Sequence, residues 1–470
     1  MTSDAQPNSD APSTGRAARL SNWVRKKDPS FFAYFLAKVI PAVLSFITVT
    51  YTIRFISHAD YGEWGFLGVV SGMLVPVVSL SLPQAMMRMY FDKKDERVET
   101  HASLVTTTFL VNTAGMLVVF VIACLLYFAE SQAALGLLYF GGITTGKIGF
   151  SFFNYLSRVR NDYGLYLFNR VVESLLYTAF VATFVSYVAD ADRSTEVLGH
   201  SRLHWLAYAS IGTVWLINAV NALYYSRQGL LSIKAKLLSK VELREMLAFS
   251  TPLIGTFFIG WLLASSDVWV LRRVGSLTAT ADYLFAVKIA GGVALVTESS
   301  LLDWPRFYYG HMRDNHADRD EQIARRVRSF LYMHIGAILL VRFIAAFAYD
   351  VLGAEQFVAG LEYLRYLVLG NFFFLLGNLM AAGIGYAKRT HLTLVTFLVP
   401  GAMNLGLNFL LIPRWGAHAA ALTTLAAYLL YAILSFFMGR PFYRFQGGSR
   451  LIAVIAVALG AALLPLGLGA

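Results

Sequence analysis

The sequence has little charge for its length. Asp, Glu, Lys and Arg make up 14% of its 470 residues, whereas soluble proteins carry about 25%. Hydrophobic residues reach 57%. This balance excludes an ordinary soluble domain and predicts a membrane protein. The net charge of +11 therefore does not indicate nucleic-acid binding, because in a membrane protein the placement of basic residues matters more than their sum.

Chemically reactive patterns are also scarce. The chain has one cysteine, Cys124, so an intrachain disulfide is excluded, and no Cys/His spacing resembles a metal site. It has no glycine-rich phosphate loop followed by Lys-Ser or Lys-Thr, which excludes an intrinsic ATPase. No catalytic constellation is visible. The sequence therefore predicts that the protein is not an enzyme and uses no cofactor.

Long polar segments are lacking as well. The longest interruptions of the apolar sequence lie near 190–203, 228–244 and 311–326. None can hold an extramembrane domain. A membrane glycosyltransferase or polysaccharide ligase needs a catalytic base and sugar-binding loops outside the bilayer, so this enzymatic alternative is disfavoured.

Apolar runs are what the sequence has in abundance. A run of about 20 residues is enough for a helix to cross a bilayer. Such runs lie near 33–55, 63–87, 103–128, 133–157, 164–188, 205–226, 246–271, 281–305, 328–349, 358–386, 391–412 and 417–438, with a thirteenth at 451–468. They predict an all-α polytopic membrane protein with twelve core transmembrane helices in two lobes of six. The predicted regions are a disordered N-terminus at 1–28, an N-lobe at 29–227, a cytoplasmic inter-lobe linker at 228–244, a C-lobe at 245–440 and an additional C-terminal hydrophobic helix at 441–470.

Lys and Arg are concentrated in the loops of one side. With the N-terminus in the cytoplasm, inner loops carry basic clusters such as 234–244 and 319–328, while outer loops carry acids. Basic loops stay cytoplasmic, so this asymmetry predicts a cytoplasmic N-terminus. Arg272 and Arg273 are an exception at an outer helix end.

Two hairpins six spans apart share an order of features. The first helix of each contains a proline, Pro41 or Pro252, and leads to an Ala-Asp-Tyr turn at 59–61 or 281–283. This pattern indicates a parallel six-plus-six repeat, with a pseudo-twofold axis along the membrane normal and a site between the halves. Proline breaks the helical hydrogen-bond ladder, so both prolines are candidate hinges for alternating access, with static kinks as the alternative.

Charged residues occur inside the spans. An ionisable group in hydrocarbon costs at least about 2.5 kcal/mol, so such residues face protein or water and commonly mark a transport path. The basic ones are Lys38, Lys147, Arg170, Lys288, Arg342 and Arg365, and the acidic ones include Glu173, Asp267 and Glu298. They predict a polar cavity across the membrane.

Lys147 is the deepest of the basic residues. Its span has Gly142 and Gly146 at a spacing that allows close helix contact, and one of its faces is polar. We interpret Lys147 as lining a cavity that binds an anionic substrate; the alternative is a buried lysine paired to an acid for packing. Lys288 is expected to face the same cavity from the second half.

The other basic residues have competing interpretations. Lys38 and Arg170 lie toward inner span ends, where they line the cavity or else extend to lipid headgroups. Arg170 is also three residues from Glu173, which allows a local pair. Arg342 and Arg365 lie near outer ends and are expected to extend to the membrane surface.

Three acids are candidates for ion coupling. Glu298 lies deep in its span, next to two serines, and is the stronger candidate for a proton or cation site. Asp267 lies near Arg272 and Arg273, so a local ion pair is its alternative explanation. Glu173 is the third candidate.

Four stretches carry a family resemblance. They are RFISHADYGEWGF (54–66), LSLPQAMMRMYFD (80–92), MLAFSTPLIGTFFIGWLLASSDVWVL (246–271) and MNLGLNFLLIPRWGAHAAALTTLAAY (403–428). In order and spacing they resemble the polysaccharide-transporter, or O-antigen-type flippase, branch of the multidrug/oligosaccharidyl-lipid/polysaccharide (MOP) exporter superfamily, over about 33–440. Ser57 and Ala419 stand where this family often has glycine.

The resemblance implies twelve to fourteen helices in two six-helix lobes that form a V around a central cavity. Members move polyprenyl-diphosphate-linked oligosaccharides, such as O-antigen, capsule or exopolysaccharide units, across the bacterial cytoplasmic membrane, driven by an H⁺ or Na⁺ gradient. Partners implied are that lipid-linked substrate, membrane lipids, and polysaccharide polymerase and assembly proteins, but no nucleic acid. In-span basic residues fit a diphosphate, which is anionic.

A cation-coupled multidrug or small-molecule exporter of the same superfamily is the alternative. A cavity for cationic drugs should be acidic. The charges inside these spans lean basic, which favours the flippase.

Overall fold

The computed structural model describes residues 29–92, 98–129, 136–190, 196–197, 200–231, 239–314, 317–352, 357, 359–445 and 448–463. The segment 1–28, predicted to be disordered, and residues 232–238 of the predicted linker lie outside this part of the chain. Two antiparallel strands of two residues each, β1 (Glu196–Val197) and β2 (His200–Ser201), interrupt an otherwise helical architecture.

The first half of the chain contains the six predicted spans of the N-lobe, of which the second and the fourth each consist of two helical elements. Its helices are α1 (Pro29–Thr52), α2 (His58–Val78), α3 (Leu82–Asp92), α4 (Val98–Ala129), a π-helix (Leu137–Thr144) that continues into α5 (Thr145–Val159), α6 (Tyr163–Asp190) and α7 (Arg202–Arg227). The helices of the second half are α8 (Lys240–Val274), α9 (Leu277–Asp314), α10 (Arg319–Leu352), α11 (Ala359–Tyr386), α12 (Thr390–Gly439) and α13 (Gly448–Leu463). Within the described residues, eight helices are long and apolar enough to cross a membrane.

The predicted fold class is confirmed: the protein is an all-α, multi-pass membrane protein, and its described helices lie in the twelve predicted core segments and in an additional C-terminal helix. Spans eleven and twelve are the two halves of α12, which leaves the helical conformation at Gly416 (φ 56°, ψ −139°). Thr423 donates a hydrogen bond to Asn408 across this break. Fifteen residues of straight helix rise about 22 Å, so the contact requires the two halves to fold back on each other.

The predicted second span differs from the structure, because it consists of α2 and α3 rather than one helix. Leu80 and Ser81 between them have positive φ angles of 50° and 49°. The chain had a signal for this break. Pro76 removes one backbone donor, and Pro83 is favoured in the first turn of a new helix.

Small residues allow the helices of the second lobe to pack closely. A Cβ added at Gly377 in α11 would lie 2.5 Å from the ring of Tyr431, and one at Gly439 would lie 2.7 Å from the carbonyl oxygen of Met380. Helices in lipid gain little hydrophobic energy from meeting each other, so such close contacts are what hold them together. α11 is accordingly the most buried of the candidate spans.

Candidate functional site

We call the end of the helix bundle where α1 begins and α5 ends the proximal end, and the end where α1 ends and α9 begins the distal end. A cavity of about 230 Å³ lies in the first lobe toward the proximal end. It is lined by Lys147, Phe150, Ser151, Asn154, Tyr155, Arg158, Tyr166 and Arg170. The lining residues of α5 recur every three or four positions, so they share one helix face. The predicted site residues Lys147 and Arg170 are therefore brought together.

Aromatic rings, rather than acids, contact the basic groups of this cavity. The Lys147 ammonium lies 5.9 Å from the centre of the Tyr139 ring, and the Arg170 guanidinium lies 5.8 Å from that of Phe150. Within the described part of the chain, neither of them nor Arg158 forms an ion pair. Cation–π contacts hold a cation in place without neutralising it. The cavity thus keeps its positive charge available for an anion.

Few other charges reach Lys147. The charged side chains close enough to act on it electrostatically are Glu173 and Lys288. Glu173 is also within range of Arg170, but the two make no direct ion pair among the described residues. Lys288 is exposed on α9 of the second lobe. Three basic groups, those of Lys147, Arg170 and Lys288, are therefore near one another with a single acid, Glu173, and they come from both lobes.

Lys38 and Glu298 form an ion pair between the lobes. The Lys38 ammonium lies 2.6 Å from the Glu298 carboxylate, joining α1 to α9, with side-chain exposures of 25% and 58%. Exposed pairs of this kind contribute about 0.2–1 kcal/mol, so the contact can open readily. Pro41, a predicted hinge, is one turn beyond Lys38, where a change in the helix kink would move that lysine.

Asp267 is the most deeply buried acid of the predicted site. It is 2% exposed. Its carboxylate accepts hydrogen bonds from the Tyr283 hydroxyl, from the Thr424 hydroxyl at 2.8 Å and from the Val268 backbone N–H at 2.7 Å. The alternative of a local ion pair is not what the structure shows, because Arg272 pairs instead with Glu63. Asp267 is thus a buried carboxylate held by uncharged donors.

A separate network of small polar side chains joins Ser266, the neighbour of Asp267 in sequence, to α12. The Ser266 hydroxyl donates to Asn404 at 3.1 Å, and the Asn408 amide donates to both Ser266 and Asn404. All three residues are buried. Carbonyl, hydroxyl and carboxylate oxygens are ligands suited to a small hard cation, and a carboxylate such as that of Asp267 can instead take a proton.

Pro252 lies within α8, a helix that contacts both lobes. Before the proline, the Phe249 ring lies 4.5 Å from the Arg88 guanidinium, and Glu242 accepts a 2.8 Å hydrogen bond from Ser103. Both partners belong to the first lobe. After the proline, Asp267 accepts a hydrogen bond from Thr424 of the second lobe, while Arg272 pairs with Glu63 of the first. A kink at Pro252 would therefore move a helix that contacts both lobes, and the predicted hinge role stays a prediction.

Two in-span arginines lie away from the cavity. Arg342 is buried in the second lobe, so the prediction that it extends to the membrane surface is wrong. Arg365 stacks 4.7 Å from the centre of the Tyr366 ring.

The lobes meet closely at the distal end. A Cβ added at Gly62 in α2 would lie 2.4 Å from the carbonyl oxygen of Leu277, so the two backbones touch there. Two polar contacts flank this point: His58 Nε2 lies 3.0 Å from the Asp282 carboxylate, and Glu63 forms an ion pair with Arg272 at 2.8 Å. The distal side of the space between the lobes is therefore closed.

Gly62→Val is expected to open the distal contact, because its side chain would collide with backbone that cannot yield. Overpacking costs about 1–3 kcal/mol, which changes the ratio of open to closed states by about 5- to 150-fold. Distances between spin labels on the distal ends of α2 and α9, in a Cys124→Ser background, measure the change. Gly72→Val is the matched control, since a Cβ there meets nothing within 4 Å. Unchanged distances in Gly62→Val would contradict the close contact.

Some of the site could not be located by reading charges along spans. Arg158 falls at a span end, and the polar partners of Asp267 are uncharged. The sequence does contain one indication of the polar network: Asn404 and Asn408 lie four residues apart in an apolar helix and so share one helix face.

Comparison with known proteins adds a family and a fold. The sequence matches the family described as polysaccharide biosynthesis protein over residues 29–297, more than half of the chain. No curated protein sequence matches it. Among solved structures, an inward-facing multidrug resistance MATE family transporter of the MOP superfamily is similar with a TM-score of 0.64, at 14% identity, over 89% of this chain and 98% of that one.

Two further solved structures share the fold. An outward-facing MATE family transporter of the same superfamily gives a TM-score of 0.55, at 12% identity, over 90% of this chain and 95% of that one. A MOP superfamily transporter from Pyrococcus furiosus, described by a reverse polarity of its binding pocket that suggests a different function, gives 0.56, at 12% identity, over 91% and 97%.

Proposed function

The chain belongs to the polysaccharide biosynthesis protein family, and from this premise we propose that it flips a polyprenyl-diphosphate-linked oligosaccharide from the cytoplasmic to the outer leaflet of the bacterial inner membrane. The family match and the fold together identify a MOP-type membrane transporter rather than an enzyme. The substrate and the direction of transport are the proposal.

The net positive charge of the first-lobe cavity is the observation that carries this proposal. A diphosphate is an anion with several acceptor oxygens, and Lys and Arg are the side chains that bind such groups through charge-assisted hydrogen bonds. Lys147, Arg158 and Arg170 line one cavity with no acid among its lining residues. Lys288 adds a fourth positive charge from the other lobe.

The multidrug alternative has support from the fold, since the similar solved structures include multidrug transporters. Fold likeness at this level of identity does not carry the substrate with it. A cationic drug entering the basic cavity would meet like charge, which disfavours it. The polarity of the cavity therefore favours the flippase over the multidrug exporter.

In the proposed cycle the proximal end is cytoplasmic, because basic loops stay on that side. The diphosphate enters between α1 and α9 and competes with Glu298 for Lys38, while the polyprenyl tail stays in the bilayer. It then binds the basic cavity. Rocking of the lobes opens the distal contact and closes the proximal side.

Asp267 is the site we propose for ion coupling. Glu298 already has Lys38 as its counter-ion, and it is more than half exposed. Asp267 has no basic partner among the described residues and is surrounded by oxygen atoms. Binding of H⁺ or Na⁺ there would neutralise a buried charge between α8, α9 and α12, and so alter the packing of the helix that bridges the lobes.

Reconstituted transport tests the proposal. Protein in liposomes with an imposed H⁺ or Na⁺ gradient is expected to move undecaprenyl-diphosphate-linked oligosaccharide across the bilayer, measured as the sugar made accessible to an added lectin. Ethidium, a cationic drug, serves as the competing substrate and is expected to be left in place. Transport of ethidium without transport of the lipid-linked sugar would establish the multidrug alternative.

A further inference from the structure

The middle of α11, residues 367–380, has one accessible stripe on an otherwise buried stretch of helix. Asn371, Phe374 and Asn378 follow each other at intervals of three and four residues and are partly exposed, while the residues between them are buried. The other faces of α11 pack against α9, α10, α12 and α13 of the same lobe. The stripe is therefore the accessible side of this part of α11, and within it the Phe374 ring also contacts Tyr431 of α12.

The stripe occupies the position in the second lobe that the basic cavity occupies in the first. α5 and α11 end in the same turn: Asn161 and Lys388 have φ angles of 58° and 56°, with matching hydrogen bonds around them. Lys147 precedes Asn161 by as many residues as Phe374 precedes Lys388. The repeat thus places an aromatic ring where the first lobe has its deepest lysine.

A second pair of positions follows the same rule. Arg170 lies as far beyond Asn161 as Phe397 lies beyond Lys388. Lys147 and Arg170 line one cavity. The rings of Phe374 and Phe397 both contact the ring of Tyr431, with centre-to-centre distances of 5.6 and 4.7 Å. At these two pairs of positions the lobes match in register and differ in chemistry.

The aromatic surface extends toward the first lobe. Phe397 also lines a cavity of about 400 Å³ between α8 and α2, together with Trp261. The Trp261 indole donates a hydrogen bond of 3.2 Å to the backbone oxygen of Val69 in α2. We call Trp261, Phe374 and Phe397 the aromatic wall. It reaches the boundary between the lobes.

Two amides give the aromatic wall hydrogen-bonding capacity. Asn371 and Asn378 donate to backbone oxygens one turn earlier, at 3.0 and 2.8 Å. Those bonds fix the amides and leave each Oδ1 without a donor among the residues that the structure describes. An aromatic face attracts polarised C–H groups, and an amide oxygen accepts from hydroxyls. A pyranose ring offers both kinds of group, whereas a polyprenyl tail offers no hydroxyl.

We propose that the aromatic wall and the amides of α11 form the glycan subsite, which binds the neutral sugar rings of the lipid-linked oligosaccharide while the first lobe binds its diphosphate. This proposal rests on the proposed function and assigns a different part of the substrate to each lobe. α11 has no charged residue between Arg365 and Lys388, so the subsite recognises sugars by shape and hydroxyl placement.

Binding of two probes by the full-length protein in nanodiscs tests the subsite. The probes are undecaprenyl diphosphate and the undecaprenyl-diphosphate-linked oligosaccharide extracted from host membranes. Phe374→Ala is expected to weaken binding of the oligosaccharide probe about tenfold, equivalent to about 1.4 kcal/mol, and to leave the bare diphosphate unchanged. Asn378→Ala should shift the same probe in the same direction, and Phe374→Tyr should retain binding. Lys147→Ala should weaken both probes.

Phe437→Ala is the matched control, because that ring is 61% exposed on α12, and it should change neither probe. Equal weakening of both probes by Phe374→Ala would show that the wall holds the polyprenyl tail, and no weakening would show that it holds nothing; either result overturns the subsite. Wild-type protein that binds neither probe overturns the proposed function itself.

Discussion

Lys147→Ala is expected to abolish transport of the lipid-linked oligosaccharide while the protein still inserts in the membrane. The ammonium has a cation–π contact and no ion pair among the described residues, so the substrate diphosphate would be its counter-ion. Removing one member of a buried, hydrogen-bonded charge pair costs about 2–5 kcal/mol, equivalent to about 30- to 4000-fold in affinity. The flipping rate in liposomes at substrate concentrations below saturation measures the loss.

Two control variants distinguish loss of the Lys147 charge from loss of folding. Lys147→Arg keeps the positive charge and should retain part of the transport. Lys240→Ala removes a lysine that is exposed at the start of α8, far along the chain from the cavity, and should transport normally. Normal transport by Lys147→Ala would show that this lysine serves packing alone, and the diphosphate would then have to rely on Arg170 and Arg158.

Much of the fold was predictable because each span must satisfy its own backbone hydrogen bonds in lipid. A run of about 20 apolar residues has few structures open to it, so the twelve spans and the additional helix follow from hydropathy. The breaks were harder to predict. Leu80 and Ser81 adopt positive φ angles within a predicted span. Hydropathy carries no information on backbone conformation, so it could not predict this break.

The site was predictable in its residue types and less so in its pairings. Charges inside apolar spans are conspicuous, so Lys38, Lys147, Glu298 and Asp267 could be singled out one by one. Pairing depends on which helices become neighbours. Sequence proximity suggested Asp267 with Arg272, but a helix carries positions five residues apart in different directions. Arg272 consequently meets Glu63 from the first lobe, whereas Asp267 turns into the second lobe.

The chemical contrast between the basic first lobe and the aromatic second lobe could not be predicted from the sequence and became visible only in the structure. The repeat is visible in sequence at the first hairpin of each half, where both halves carry similar residues. It is invisible at Lys147 and Phe374, because a lysine and a phenylalanine give no sign of equivalence. The matched turns at Asn161 and Lys388 supply that register. Lobes that differ in this way suit a substrate with one anionic end and one neutral end, because each lobe can bind one of the two ends.

Asp267→Asn is expected to uncouple transport from the ion gradient. Asparagine has almost the volume of aspartate and keeps an oxygen for the Tyr283 and Thr424 hydroxyls, but it carries no charge for H⁺ or Na⁺ to neutralise. The variant should bind the lipid-linked oligosaccharide with affinity close to that of the wild type. Its flipping rate should no longer rise when a gradient is imposed, and a coupling free energy of about 1–3 kcal/mol would appear as a 5- to 150-fold loss of stimulation.

Glu298→Gln is the matched comparison, because it removes the charge of the other principal candidate by an equally small change. Its expected effect differs in kind. Loss of the pair with Lys38 should loosen the proximal contact between α1 and α9 and free that lysine for the diphosphate, while stimulation by the gradient persists. Parallel series with H⁺ and Na⁺ gradients identify the coupling ion in the wild type. If Glu298→Gln loses stimulation and Asp267→Asn keeps it, the coupling site lies at the contact between the lobes, and the polar network around Asp267 serves the packing of α8 on α12.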